Sequence, residues 1–313
     1  MVIYADVGAF GGMSLRQPTK TVKGGKMKIV KLISSIALAA MLAGCCSVGC
    51  DCPCADSEQP NISVFAHFIR NTAKQQGISL TEAANKLYDL GVRGFDIGPD
   101  DKDLPVLAAS KLKPINFYFF PRMLGPDNGA ADCKRCLDQA VKYGVPRVMV
   151  VPSHFTRGGD EAAEFAKDLS SMKMFVSEAK KRGITITVED FGGPLNPGSH
   201  MKYLKRFLDE IPELKFALDS GNLYYAGRGE DILEMMEYAK GRIAHVHLKD
   251  QTHENNRKYA TLGLGAVPNE KIVKAVAAQG YDGWYTLENT VGDTYTDAIR
   301  QVAVLKYWLR QAK

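Results

Sequence analysis

The sequence predicts an α/β fold, a single (β/α)8 barrel, and three observations carry that expectation. From residue 61 onward, short apolar runs rich in β-branched and aromatic residues alternate with longer stretches of helical periodicity. Eight such units fit in about 250 residues, the usual size of a barrel of this kind. The first strand candidate runs into His67-Phe68-Ile69-Arg70, without the glycine-rich phosphate loop that opens a doubly wound sheet.

The elements follow in order. Strands are expected at 63–68, 94–97, 114–120, 147–151, 185–189, 215–219, 243–248 and 284–288. Helices with 3.6-residue periodicity are expected over 81–90, 161–181 and 269–279. Gly91, Gly144, Gly183 and Gly280 stand where helices should stop before the next strand. The aromatic run Phe117-Tyr118-Phe119-Phe120 reads as core plus one pocket wall.

The formal charge of +5 over 313 residues is concentrated at one end. Arg16, Lys20, Lys23, Lys26, Lys28 and Lys31 face a single acid, Asp6, in residues 1–44, which leaves 34 residues of each sign in the remainder. A neutral body argues against a nucleic-acid partner, which calls for a basic surplus.

Residues 1–44 read as a signal peptide, with Met27 as the candidate true start. Lys28 and Lys31 form the positive region, and 32–42 is an apolar run broken by two serines. The run is shorter than the roughly 20 residues a membrane span needs. Leu42-Ala43-Gly44-Cys45 resembles a bacterial lipobox, which implies lipidation of Cys45 and an exported, membrane-anchored protein facing the periplasm. Residues 45–60 form a Cys-rich flexible tether, and 61–313 the barrel. Cys133 and Cys136 sit three apart in a helical stretch, with no second pair to complete a zinc site.

The last four strands each finish in a residue able to bind a metal: Glu189, Asp219, His247 and Glu288. Active sites of barrels lie at the C-terminal ends of the strands. The strand period of two puts Thr185, Thr187 and Glu189 on one face, likewise His245 with His247, and Trp284 with Thr286 and Glu288. Ile186, Val188, Val246, Tyr285 and Leu287 should face the helices. Three carboxylates and one imidazole suit one Mn²⁺, Mg²⁺ or Co²⁺ better than a structural zinc, though Zn²⁺ fits as well.

With these residues in view, the chain resembles the xylose-isomerase-like family, the sugar phosphate isomerases/epimerases. The resemblance covers about 61–313. It rests on Glu189-Asp190, Leu218-Asp219-Ser220-Gly221-Asn222, His245-Val246-His247-Leu248-Lys249-Asp250, Leu262-Gly263-Leu264-Gly265 and Tyr281-Asp282-Gly283-Trp284 through Glu288. It implies one divalent metal held by Glu189, Asp219, His247 and Glu288, with Glu189 and Glu288 as the acid/base pair. The implied reaction is isomerisation or epimerisation of a small sugar or polyol: proton transfer beside a carbonyl, through an enediolate that the metal stabilises. A keto-sugar lyase or hydratase, or a non-catalytic sugar-binding lipoprotein, are the alternatives. Lys249, His245, His154, His67, Asp96, Asn222 and Trp284 are candidate substrate-binding residues. Asn222 departs from the His that many relatives carry, which removes a ligand the DNA-repair branch of the superfamily needs. Export favours an unphosphorylated substrate, and the oligomeric state is left open.

Overall fold

The computed structural model describes residues 60–255, 258–288 and 294–312. The expected signal peptide, Cys45 and residues 46–59 of the tether lie outside them.

β1 (Ile62–Phe65) leads into α1 (Ala66–Gln76) and α2 (Leu80–Asp89), then β2 (Gly94–Ile97), α3 (Leu104–Ala108) and β3 (Lys113–Phe119). α4 (Ala130–Tyr143), β4 (Arg147–Val150), α5 (Glu161–Lys180) and β5 (Thr185–Glu189) follow. The second half runs α6 (Met201–Glu210), β6 (Lys215–Asp219), α7 (Asn222–Tyr225), α8 (Gly229–Tyr238), β7 (Ile243–Leu248), α9 (Asn269–Ala278), β8 (Trp284–Leu287) and α10 (Tyr295–Gln311). The strands are parallel and close in chain order, with β8 pairing back onto β1. The predicted barrel is therefore the observed one.

One boundary differs by more than a single residue. The expected first strand, 63–68, stops at Phe65, and His67 stands on the first turn of α1. The run through Phe68 and Ile69 is apolar because that face of α1 is buried, and a short apolar run does not distinguish strand from buried helix. Local signals are clear elsewhere. Ser79 and Glu82 form a reciprocal cap at the start of α2, and Gly77 closes α1 at φ 64°.

The apolar core lies between sheet and helices. Ile186, Val188, Val246, Tyr285 and Leu287 all point into it, as their strand phase requires. The barrel interior is different. Ser63, Asp96, Asn116, His245 and Thr286 are fully buried inside the staves, where branched aliphatics are the common filling. Burying such groups is costly unless they are paired, and here they pair with one another. Ser63 Oγ meets Thr286 Oγ1 at 2.6 Å, and Thr286 Oγ1 meets His245 Nε2 at 2.9 Å. The N-terminal floor is closed by Trp284 and Ile115 over Gly94. A Cβ on Gly94 would lie 2.7 Å from Ile115 Cγ2 and 3.0 Å from Trp284 Cζ3.

Candidate metal centre

Glu189 ends β5, Asp219 ends β6, His247 sits one residue before the end of β7, and Glu288 follows β8. Neighbouring staves thus bring one donor each to the same mouth. A donor atom from each of the four lies within 4.8 Å of the others. His247 Nδ1 is 2.8 Å from Glu189 Oε1, 3.0 Å from Glu288 Oε2 and 3.9 Å from Asp219 Oδ2.

Each donor is aimed by neighbours. Asp219 Oδ1 accepts the amides of Gly221 and Asn222, both at 2.8 Å, so Oδ2 is turned to the centre. The amide of Asp219 is itself held by Asp190 Oδ1 at 2.7 Å. His247 places Nε2 3.1 Å from Asp96 Oδ2. That oxygen also meets His245 Nε2 and Asn116 Nδ2, each at 2.8 Å. Beneath His245, Arg147 Nη1 lies 2.9 Å from its Nδ1. A polar column therefore runs from the buried guanidinium up to the mouth.

Lys249 follows β7 in phase with His247. Its ammonium lies 2.9 Å from Asp219 Oδ2, 2.8 Å from Glu288 Oε1 and 3.2 Å from Asn222 Oδ1. Gly221 allows that approach, since a Cβ there would sit 2.6 Å from Lys249 Cβ. The neighbouring Asp250 carboxylate accepts the amides of Gly263 and Gly265, at 2.8 and 3.0 Å, and so orders the loop before α9.

The electrostatics follow from burial and these partners. Burial works against charge on Asp96, but His245 and His247 outweigh it and hold the carboxyl below its ordinary range. Burial lowers His245 to about 4, so it is neutral. Burial opposes charge on His247 too, yet its hydrogen bonds to the carboxylates of Asp96, Glu189 and Glu288 raise it well above 6.5. Burial pushes Glu189 up to about 7. Burial pushes Glu288 the same way, but the Lys249 charge and His247 pull it down. Two carboxyls beside one imidazole are thus driven in opposite directions.

The donor set fits a divalent cation. Asp219 Oδ2 and Glu288 Oε2 are buried without a directed hydrogen bond, although Lys249 and His247 lie at ion-pair distance from them. Three carboxylates and one imidazole nitrogen offer hard oxygen ligands with one borderline nitrogen.

The candidate substrate residues separate into two groups. Lys249 and Asn222 lie at the cluster. Asn222 engages both ends of its amide, receiving Lys249 at Oδ1 and giving Nδ2 to the Asp190 carbonyl at 2.9 Å. His67 and His154 stand at the rim, half-buried and exposed respectively. Asp96 and His245 have 0% exposure and lie below His247 rather than at the mouth. Trp284 is also misplaced by phase alone. It pairs with His245 at the N-terminal end of β8, four residues before Glu288 and so roughly 13 Å beneath it.

Apart from the pocket wall expected in the Phe117–Phe120 run, other contributors were not singled out in the sequence. Asn116, Arg147 and Thr286 complete the column. Phe65 sets its ring edge-on to His247 at 5.1 Å and stacks on Tyr118 at 5.2 Å. Asn116, Tyr118 and Phe120 share an inward phase on β3, a signal present in the sequence. Cys133 and Cys136 are buried on α4 with free thiols, and burial pushes Cys133 up to about 12.

Residues 76–310 match the family model described as the xylose isomerase-like TIM barrel. The chain belongs to this family. Within it, the chain is similar to a Streptomyces coelicolor protein that bears the name hydroxypyruvate isomerase, at 24% identity over 220 residues, spanning 62% of this chain and 77% of that protein. Among solved structures, the barrel superposes on a D-tagatose 3-epimerase-like protein with a TM-score of 0.65 at 17% identity, covering 80% of this chain and 98% of the other. It also superposes on a Mycobacterium smegmatis barrel of this family in complex with magnesium, with a TM-score of 0.61 at 15% identity, covering 82% and 98%. The two structures share the fold.

Proposed function

We propose that the protein is a divalent-metal-dependent isomerase or epimerase of a small, unphosphorylated sugar or polyol. The observation that carries this reading is the convergence of Glu189, Asp219, His247 and Glu288 at the barrel mouth, with donor atoms within 4.8 Å of one another. The name of the Streptomyces relative and the epimerase-like neighbour agree with it, and the magnesium of the mycobacterial barrel agrees with a metal of the Mg²⁺, Mn²⁺ or Co²⁺ kind.

A bound divalent cation supplies Lewis acidity toward substrate oxygens and so stabilises the charge that builds when a carbon-bound proton leaves. The rest is the work of this chain. Glu189 and Glu288 both approach His247 Nδ1, at 2.8 and 3.0 Å. One takes the proton from carbon and the other returns it, so that one is ionised and the other protonated when the substrate binds. Lys249, only 9% exposed along its side chain, presents a fixed positive charge where a substrate oxygen gains negative charge. Phe65 sets its ring edge-on against His247, and Tyr118 stacks on Phe65 behind it.

The test is incubation of the Mn²⁺-loaded protein with a panel of free sugars in D₂O. Deuterium should enter one carbon next to a carbonyl, and Glu189→Gln should abolish the exchange while the fold is kept. Exchange confined to sugar phosphates would overturn the unphosphorylated assignment, and no exchange with any sugar would overturn the enzyme. We place this activity on an exported lipoprotein anchored through Cys45. Wild type should partition into detergent and Cys45→Ala should remain in the aqueous phase.

A further inference from the structure

The mouth carries a ladder of rings that a single metal-bound sugar does not use. Its lower step is the Phe65–Tyr118 stack beside His247. Its upper step is Phe120, which is 57% exposed. Phe120 meets Phe191 edge-on at 5.9 Å, and His154 lies tilted against Phe191 at 6.2 Å. The two steps are continuous. Tyr118 and Phe191 both pack against Met149, Val151 and Ala217 on the inner wall.

The spacing between steps comes from β3. Phe117 is fully buried, and Phe119 turns outward to meet Phe175 of α5 at 6.1 Å. Tyr118 and Phe120 alternate with them and face the mouth. Backbone pairing persists to this height, since the amide of Val151 donates to the carbonyl of Phe119 at 2.9 Å. Two residues along a strand place Phe120 roughly 7 Å beyond Tyr118, toward solvent. Isolated exposed rings need no explanation, but a contiguous apolar patch joined to a polar centre marks a binding surface.

We propose that Phe120, Phe191 and His154 form a subsite for a second pyranose ring, so that the preferred substrate is a disaccharide or glycoside whose first ring lies at the cluster. This deepens the sugar reading and rests on it. A pyranose offers an apolar face of C–H bonds that matches an aromatic ring, and hydroxyls at its edge that suit His154.

The experiment is calorimetric titration of the Mg²⁺-loaded protein with cellobiose, maltose and lactose, against D-glucose and D-galactose. Wild type should bind at least one disaccharide tenfold or more tightly than its component monosaccharides. Phe120→Ala should bring that ratio to about one, and Phe120→Tyr should restore it. Val141→Ala, an exposed site on the outer helix α4, should keep the wild-type ratio. A wild-type ratio near one, or a ratio that Phe120→Ala leaves intact, would overturn the subsite. Disaccharide preference without deuterium exchange on any sugar would overturn the isomerase reading and keep the subsite. Exchange on monosaccharides with no disaccharide preference would do the reverse.

Discussion

The carboxylate of Asp96 and the imidazole of His247 meet at 3.1 Å, Oδ2 to Nε2, at a depth where neither has exposed surface. Because Asp96 is held ionised, it accepts a hydrogen bond from the Nε2–H and turns Nδ1 toward Glu189 and Glu288. Carboxylates that grip the far nitrogen of a metal-binding histidine fix its tautomer and ring angle.

Asp96→Asn should therefore weaken Mn²⁺ binding by about 10–100-fold while all four donors remain in place. Calorimetric titration of the metal-stripped protein measures this. Unchanged affinity would remove Asp96 from the centre.

Lys249 has a separate role that metal should mask. In metal-free protein its ammonium offsets Asp219 and Glu288. Lys249→Met strands those buried charges, and loss of one partner of a buried pair costs about 3–5 kcal/mol. The variant should melt well below wild type in EDTA and recover most of the difference with Mn²⁺. An equal deficit in both conditions would contradict the account.

Much of this was legible in the sequence. β5 to β8 were readable because each carries a metal-binding residue at its C-terminal end, joined in β5, β7 and β8 to a strand period of two. What alternation does not encode is depth. Asp96, His245 and Trp284 all face inward as read, yet they lie below the mouth, because register between staves sets the level of each residue. Asn116 and Arg147 escaped for a related reason: their chemistry arises from neighbours 20 and 98 residues away. His67 shifted because the run after Phe65 is apolar for helix packing.

The floor of the barrel offers a steric test. Gly94→Val should destabilise the fold by about 1–3 kcal/mol through overpacking against Ile115 and Trp284. Denaturant unfolding reads this as a lower midpoint with an unchanged slope. A wild-type midpoint would mean that the floor is looser than these contacts require.

Asp168 on α5 has 0% exposure, and burial pushes its carboxyl up to about 7, against the pull of Ser153. The folded state thus holds this proton more tightly than the unfolded chain, whose ordinary value is 3.8. Its stabilising contribution is complete below about pH 4, declines as pH rises toward about 7 and is gone above it. Asp168→Asn removes the titration. The Tm of the variant relative to wild type should climb across that interval and level off beyond it. A constant offset from pH 4 to 8 would show that Asp168 does not titrate there.

The charged donors come from one contiguous arc of the cylinder, β5 to β8, whereas Phe65 comes from β1, next to β8, and Tyr118 and Phe120 from β3 and its end. Reactivity and fit are therefore written into largely separate stretches of chain. Substitutions at Tyr118 and Phe120 can trade one ligand shape for another while Glu189, Asp219, His247 and Glu288 stay in place, whereas Asp96, in the same stretch of chain, is tied to His247 and has to be kept.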